Sequence, residues 1–436
     1  MKYKITILLA FALLVFTGKV NAQEVLTLED AIKIALERNY DIKLVANNLE
    51  INQNNVTRGN AGMLPGVSAN LSQVNTIQNS AQTRESGQVI ERNGAKGSNL
   101  NYGVSLNWTV FDGLGMFARY DQLKELQKLG EANLKQTILA RVGDVIGTYY
   151  DLVQQQQQLK ALDTAMAISR LRVQTAQNRF EIGKAARLEV LNAQVDFNTD
   201  TTNMLRQREL YQNTQTQLNQ LLARDVATRF SVVDTITIDE QLTLAQLTEK
   251  ATQQNPTLQA AIINKRVAEL DLKQAKANRL PVVSLNSGYN FSRSESAIGF
   301  TTLSTGNGFN YGVTASVPIF NGFEQRRNEQ NAAILIRNSQ LDYERLSQSI
   351  NAQLTTAFNT YQTSLALVDL EEKNQQIAKR NLDITMDKFK IGSITPIEFR
   401  EAQLNYVNAT VRYSNAQYLA KLAEVSLKEI AGALTF

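Results

Sequence analysis

The sequence predicts a mixed α/β membrane protein. Four amphipathic strands per chain form one third of a trimeric twelve-stranded β-barrel, continued by a long α-helical barrel, a coiled-coil tunnel. Three observations lead there: an internal duplication covering nearly the whole chain, four segments of strictly alternating hydrophobicity, and two very long runs without a helix breaker.

Composition removes most alternatives first. The 436 residues contain no Cys and no His, so a Ser-His-Asp triad, a thiol nucleophile, a His-ligated zinc, an iron-sulfur cluster and a disulfide framework are all excluded. Only carboxylate, Lys or Tyr chemistry stays open, and the expectation is that the chain is not an enzyme and carries no cofactor or metal. Residues 1–22 have Lys2 and Lys4, an apolar run from Ile5 to Phe16, and a small residue, Ala22, before a plausible cut. That pattern is a secretory signal peptide. Its removal takes away Lys2, Lys4 and Lys19 and no acid, so a net charge of +4 falls to +1. The basic balance nearly vanishes, and nucleic acid is not expected as a partner. Beyond Ala22 no apolar stretch approaches the roughly 20 residues of a membrane helix, so an exported chain that meets a membrane must do so by strands.

The duplication is read from two offsets. Leu26-Thr27-Leu28, Asn39 and Leu64-Pro65 recur as Leu242-Thr243-Leu244, Asn255 and Leu280-Pro281 at 216 residues. Asn101-Tyr102-Gly103-Val104, Phe111-Asp112-Gly113 and Phe180 recur as Asn310-Tyr311-Gly312-Val313, Phe320-Asn321-Gly322 and Phe389 at 209 residues. The repeats span 23–225 and 242–436, with 226–241 as an equatorial linker. In each, a short helix (Thr27 to Arg38; Thr243 to Gln254) precedes a second (Asp41 to Met63; Pro256 to Arg279), and a Leu-Pro pair then stops the helix.

Alternation follows. Leu100, Tyr102, Val104, Leu106, Trp108 and Val110 face one side of a strand, and Asn101, Gly103, Ser105, Asn107 and Thr109 the other. The same period places strands at about 65–80, 98–112, 281–295 and 308–320. Ten or more residues, apolar on one face and small or polar on the other, suit a membrane β-strand. A half-buried soluble sheet has the same period.

Long helical hairpins come next, over 113–223 and 322–432. Gly113 to Phe180 and Gly322 to Phe389 are both 67 residues apart, roughly 100 Å of helix at 1.5 Å per residue. Leu346, Ile350, Leu354, Ala357, Tyr361, Leu365 and Val368 make a seam spaced 4, 4, 3, 4, 4, 3, which needs little supercoil. Gly183 and Gly392 sit where each rod turns back. Four strands cannot close a barrel, and open edges in lipid are prohibitive. Two copies give a barrel filled by its own side chains, and three give one with room for a channel. The chain reads as one third of a conduit.

The paired turn motifs, Phe180-Glu-Ile-Gly-Lys through Glu189 to Ala193 and Phe389-Lys-Ile-Gly-Ser through Glu398 to Ala402, together with the duplication, resemble those of the TolC-like outer-membrane factor family over essentially the whole mature chain. The resemblance implies a homotrimer, with its barrel in outer-membrane lipid and its tunnel in the periplasm. Such a duct serves a tripartite efflux pump or a type I secretion system. The implied partners are a periplasmic adaptor (membrane fusion protein) and, through it, an inner-membrane RND, ABC or MFS pump. The resemblance also implies a mixed equatorial belt, which Val232 to Ile238 and the C-terminal residues would join. By the resemblance, Glu189, Glu398 and Glu401 are periplasmic gate and selectivity residues, and Phe180, Gly183, Leu188, Phe389, Gly392 and Ile397 form the adaptor-docking helical tips. An Arg that latches the gate in some members aligns with Ile394, leaving Arg187, Lys184 and Arg400 as substitutes. The competing expectations are a soluble periplasmic coiled-coil scaffold or adaptor protein and, motivated by the acids at the turns alone, an exported hydrolase.

Overall fold

In the computed structural model the described residues are 24–233, 235–298 and 301–434; residues 1–22, expected to be a signal peptide, lie outside them. The elements run in the order β1 (Glu24–Leu26), α1 (Leu28–Arg38), α2 (Tyr40–Asn55), β2 (Gly66–Thr83), β3 (Val89–Asp112), α3 (Gly115–Glu181), α4 (Arg187–Leu221) and β4 (Phe230–Val232). The second copy gives α5 (Leu244–Gln254), α6 (Pro256–Ala277), β5 (Val282–Ser296), β6 (Leu303–Ser316), α7 (Glu324–Lys390) and α8 (Pro396–Ile430). Helices α3 and α7 are each 67 residues long, and α4 and α8 each 35. No helix among the described residues is long and apolar enough to cross a membrane.

The chain divides into two compact units, and each draws on both repeats. One, residues 47–132 and 260–345, holds the antiparallel sheet in the order β2-β3-β5-β6. Its register keeps the two faces separate. Leu71 lies opposite Tyr102 and Tyr102 opposite Phe291, while Val104 lies opposite Tyr289 and Tyr289 opposite Phe309. The Tyr102 and Phe291 rings stack at 4.9 Å. This apolar face is open: Val67, Leu71, Phe309, Tyr311 and Val313 are all at least 65% exposed. A bulge between Thr109 and Phe111 ends the alternation at the base of β3. There the Trp108 indole N–H donates to the Met63 carbonyl at 2.9 Å.

Both strand-to-rod junctions use the same device. Gly113 and Leu114 have φ of 73° and 70°, and Gly322 and Phe323 both 65°. The Asp112 and Asn321 side chains then cap the rods by accepting from the N–H groups of Met116 (3.0 Å) and Gln325 (3.3 Å). A Cβ on Gly113 would stand 2.3 Å from the Ala277 carbonyl oxygen, so no other residue fits that turn.

The other unit comprises the described residues up to Ala46, with 133–259 and 346–434. Its main core gathers Leu26, Ala35, Val142, Val145, Tyr149, Leu152, Leu218, Phe230, Val232 and Leu434. Strands β1 and β4, three residues each, pair in parallel beside it. On α7 the seam buries Ile350, Leu354 and Tyr361.

Asn39 and Asn255 show what the repeated Asn does. The Asn39 Oδ1 accepts from the N–H groups of Asp41 (2.9 Å) and Ile42 (3.2 Å), starting α2, while its Nδ2 donates to the Leu221 carbonyl (2.8 Å) at the end of α4. Asn255 does the same with Thr257, Leu258 and Ile430, at 2.9, 3.1 and 2.8 Å. One amide thus satisfies the orphan groups of two helix ends.

Several boundaries differ from expectation. Helix α2 stops at Asn55 rather than Met63, because the Asn60 side chain donates to the Asn55 carbonyl (3.0 Å) and the Thr57 hydroxyl accepts from the Asn60 N–H (3.1 Å). Strand β3 begins at Val89, nine residues before position 98, across the polar stretch Glu91-Arg92-Asn93. Strand β6 begins at Leu303 and ends at Ser316 rather than 320, because Pro318 cannot donate to a ladder.

Replacing Asn39 or Asn255 by Ala is expected to cost about 2 kcal/mol each, combining a lost cap with an orphaned buried carbonyl. Asn→Asp, which keeps the acceptor, should cost less. Urea denaturation midpoints check this, and an unchanged midpoint for both Ala variants would remove the amides from the joint.

Candidate functional site at the hairpin tips

The rods turn through matching glycine caps. Gly183 has φ of 72°; its N–H donates to the Phe180 carbonyl (2.9 Å) and the Lys184 N–H to the Arg179 carbonyl (2.8 Å). Gly392, at 79°, repeats this with Phe389 (3.0 Å) and, through Ser393, Lys388 (2.9 Å). The paired bonds are a Schellman motif.

The two tips then differ. After Gly392 the Thr395 hydroxyl accepts from the Glu398 N–H (3.3 Å), and the Glu398 carboxylate accepts from the Thr395 N–H (2.9 Å), a full capping box. After Gly183 the N-cap is Ala186, with no side-chain cap. Glu189, in the first turn of α4, instead pairs with Arg179 at 3.5 Å. Glu401 is exposed one turn beyond Glu398, on the same face of α8.

The two expected docking aromatics lie inside the hairpins. Phe389 is 8% exposed and stacks on Phe399 at 4.7 Å, in a cluster with Ile168 and Leu382 against which Ile394 packs. Phe180 is half-buried against Ala176, Val190 and Ala193. Both shape their tips from within. Leu188 (65% exposed) and Ile397 (79%) are on the surface. They line a cavity of about 780 Å³ together with Glu189, Asp196, Arg400 and Glu401.

Behind that cavity is a charge network the sequence reading did not assemble. Arg400 on α8 makes a two-pronged bond to Asp200 on α4, at 2.7 and 2.8 Å, and lies 3.7 Å from Asp196. Asp200 also accepts from the Ser169 hydroxyl of α3, and Gln403 donates to that hydroxyl (3.0 Å) and to the Ala165 carbonyl (2.8 Å). Arg172 donates to Asp196 at 3.0 Å. Asp200, Arg172, Ser169 and Gln403 are all buried. Burial draws the Arg172 guanidinium below its ordinary value against the pull of Asp196. Burial acts on Arg400 in the same direction, but the bonds and charge of Asp200 carry it above. A bidentate buried pair of this kind fixes helix spacing, and removing one partner strands the other charge.

The signal for this network was present as a difference between the copies. At the repeat offset, Arg400 corresponds to Leu191, Arg172 to Asn381 and Asp200 to Ala409. Charges confined to one copy are not needed by the shared fold. Of the substitutes for an Arg at Ile394, the structure brings Arg400 into a buried pair, while Lys184 and Arg187 are exposed. Among the described residues no group of His, Cys, Asp or Glu is arranged to hold a metal ion.

The sequence matches the family model described as Outer membrane efflux protein over residues 31–224 and 247–433. Outer membrane protein TolC of Vibrio cholerae serotype O1 is 25% identical over 308 residues, which are 70% of this chain and 69% of that protein. Outer membrane protein TolC of Escherichia coli K12 is 23% identical over 277 residues, 62% of this chain and 56% of that protein. The crystal structure of the Campylobacter jejuni CmeC outer membrane channel superimposes with a TM-score of 0.77 at 18% identity, covering 93% of this chain and 85% of that one. The duplication, the four-stranded sheet, the paired rods and the family match converge, and the soluble-scaffold and hydrolase readings fall away. The chain belongs to the outer membrane efflux protein family, as a non-catalytic outer-membrane channel whose helices stand in the periplasm.

Proposed function

We propose that three copies of this chain close a twelve-stranded barrel above a helical tunnel and serve as the exit duct of a tripartite efflux pump or type I secretion system. The observation that carries this reading is the sheet itself: β2 and β6 each have a strand partner on one side, and the apolar face is open. Lipid offers no hydrogen bonds to such edges, so other copies must. The helices support the same assembly. Along α7, Leu370, Ile377 and Ile384 are exposed at a spacing of seven, and α4 exposes Leu191, Val195 and Leu205. These are stripes that a neighbouring copy's antiparallel helix would cover.

In this assembly Glu398 and Glu401, with Glu189, ring the periplasmic entrance and attract cations. The Arg400–Asp200 pair is the latch that holds α8 against α4 in the closed state. Leu188 and Ile397 offer the docking surface, with Gly183, Gly392, Phe180 and Phe389 setting its shape. The adaptor docks there and links the duct to an inner-membrane RND, ABC or MFS pump, and the pump chooses the cargo.

The purified full chain should conduct in planar bilayers, and cobalt hexammine should block it from the helical side. Glu398→Ala with Glu401→Ala should weaken that block at least tenfold, the loss of about 1.4 kcal/mol of attraction. No conductance would sink the duct reading, and unchanged block would take these acids out of the pore.

Arg400→Met should leave Asp200 buried without its cation, a cost of about 3 kcal/mol or more to the closed packing. Resting single-channel conductance should rise, while Leu191→Met, the counterpart in the first copy, should leave it unchanged. Equal resting conductance in Arg400→Met and the parent would show that this pair is not the latch.

A further inference from the structure

The polar face of the sheet has an order that alternation alone does not require. Across the strands, Asn residues lie opposite Gly: Asn70 opposite Gly103, Gly103 opposite Asn290, Asn290 opposite Gly308, Gly288 opposite Asn310, and Asn286 opposite Gly312. At two of these sites, Gly103 and Gly288, an Asn side chain lies down over the glycine. A Cβ on Gly103 would be 2.5 Å from the Asn290 Oδ1, and one on Gly288 would be 3.3 Å from the Asn310 Oδ1. The Asn hydrogen bonds run sideways along the sheet. Asn290 donates to Asn310 (2.8 Å), Asn286 to the Thr314 hydroxyl (3.1 Å) and Asn70 to the Ser105 hydroxyl (3.1 Å), which also bonds Ser68 at 3.0 Å.

The same face carries no charge along most of its length. Strands β2 and β6 contain no Asp, Glu, Lys or Arg, and β3 has none from Gly97 to Phe111. In β5 none occurs before Arg293; Arg293 and Glu295, paired at 2.6 Å, follow Tyr289 and Phe291 at the far end of the apolar side rather than on the polar face. The apolar face must be uncharged to meet lipid. Nothing of the kind constrains the other face, which in a closed barrel meets water, where charged side chains cost nothing to solvate.

We propose that this face is a charge-blind lining: an Asn-over-Gly carpet that keeps the bore wide and lets anionic and cationic cargo pass alike, confining charge discrimination to the helical entrance. The inference rests on the barrel reading above. A fixed charge on a narrow, low-dielectric wall focuses its field into the lumen and sorts ions; an amide carpet has none to focus. The lateral bonds already engage part of the donor and acceptor capacity of these side chains. The exit stage would therefore transmit whatever the entrance admits, polar or ionic, within the width of the bore.

Because the chain has no Cys, a single introduced thiol reports one position. Ser105→Cys and the independent Asn290→Cys place thiols on the carpet, and Val104→Cys places one on the apolar face. Each full-length variant is reconstituted in phospholipid vesicles and treated with membrane-impermeant methanethiosulfonates, one cationic and one anionic. Both carpet thiols should react, with a cationic-to-anionic rate ratio within about twofold of that of a small thiol in bulk solution, as expected where the local potential is near zero. A ratio shifted further in either direction, or no reaction at either carpet position, overturns the proposal. The barrel reading fails separately, if Val104→Cys reacts as fast as Ser105→Cys.

Discussion

A strand edge in hydrocarbon has no water to satisfy its N–H and C=O groups, and leaving them bare costs several kcal/mol each. The sheet β2-β3-β5-β6 has two such edges and an open apolar face. Everything else about the chain answers that constraint. Duplication supplies four strands where a single unit would supply two, and the register across β3 and β5 joins the two copies into one sheet. The edges at β2 and β6 are then the surfaces on which the proposed trimer closes. A duct is thereby built into the covalent repeat and the strand register.

The two copies share what the wall needs and differ where it has to be held. Glycine caps, rod lengths and the Asn39 and Asn255 joints are common to both. At the ends of the return helices, Ala223 adopts φ of 48° where the second copy has Gly432 at 66°. The first copy thus tolerates some backbone strain at a position the second relaxes. Near the tips the asymmetry becomes chemical: Arg400, Asp200 and Arg172 have apolar or neutral counterparts, and the capping box at Thr395 and Glu398 has none. Such differences bring α8 and α4 together in a way that two identical hairpins would not achieve.

Period-2 alternation in Leu100 to Val110 and the Gly at each turn were readable because both come from local backbone geometry. The parallel pairing of β1 with β4 was not, since three residues are too few to display a period and their partners are about two hundred positions apart. The start of β3 was hidden because Glu91 and Arg92 belong to a hairpin end that has no apolar face to declare. Phe389 stood in the right motif, but sequence could not say that it would stack on Phe399 instead of facing outward. The buried network was missed for a related reason. Arg400 and Asp200 are brought together by tertiary packing of separate hairpins, and only the comparison of the copies marks them.

In the proposed assembly one chain is a third of a closed conduit. The direct measurement is the native mass of the complex extracted from outer membranes in detergent. A complex of three chains is expected, resistant to dissociation until heated. A monomer or a dimer of the full-length chain, with its sheet edges unpaired or its barrel too small for a lumen, would contradict it.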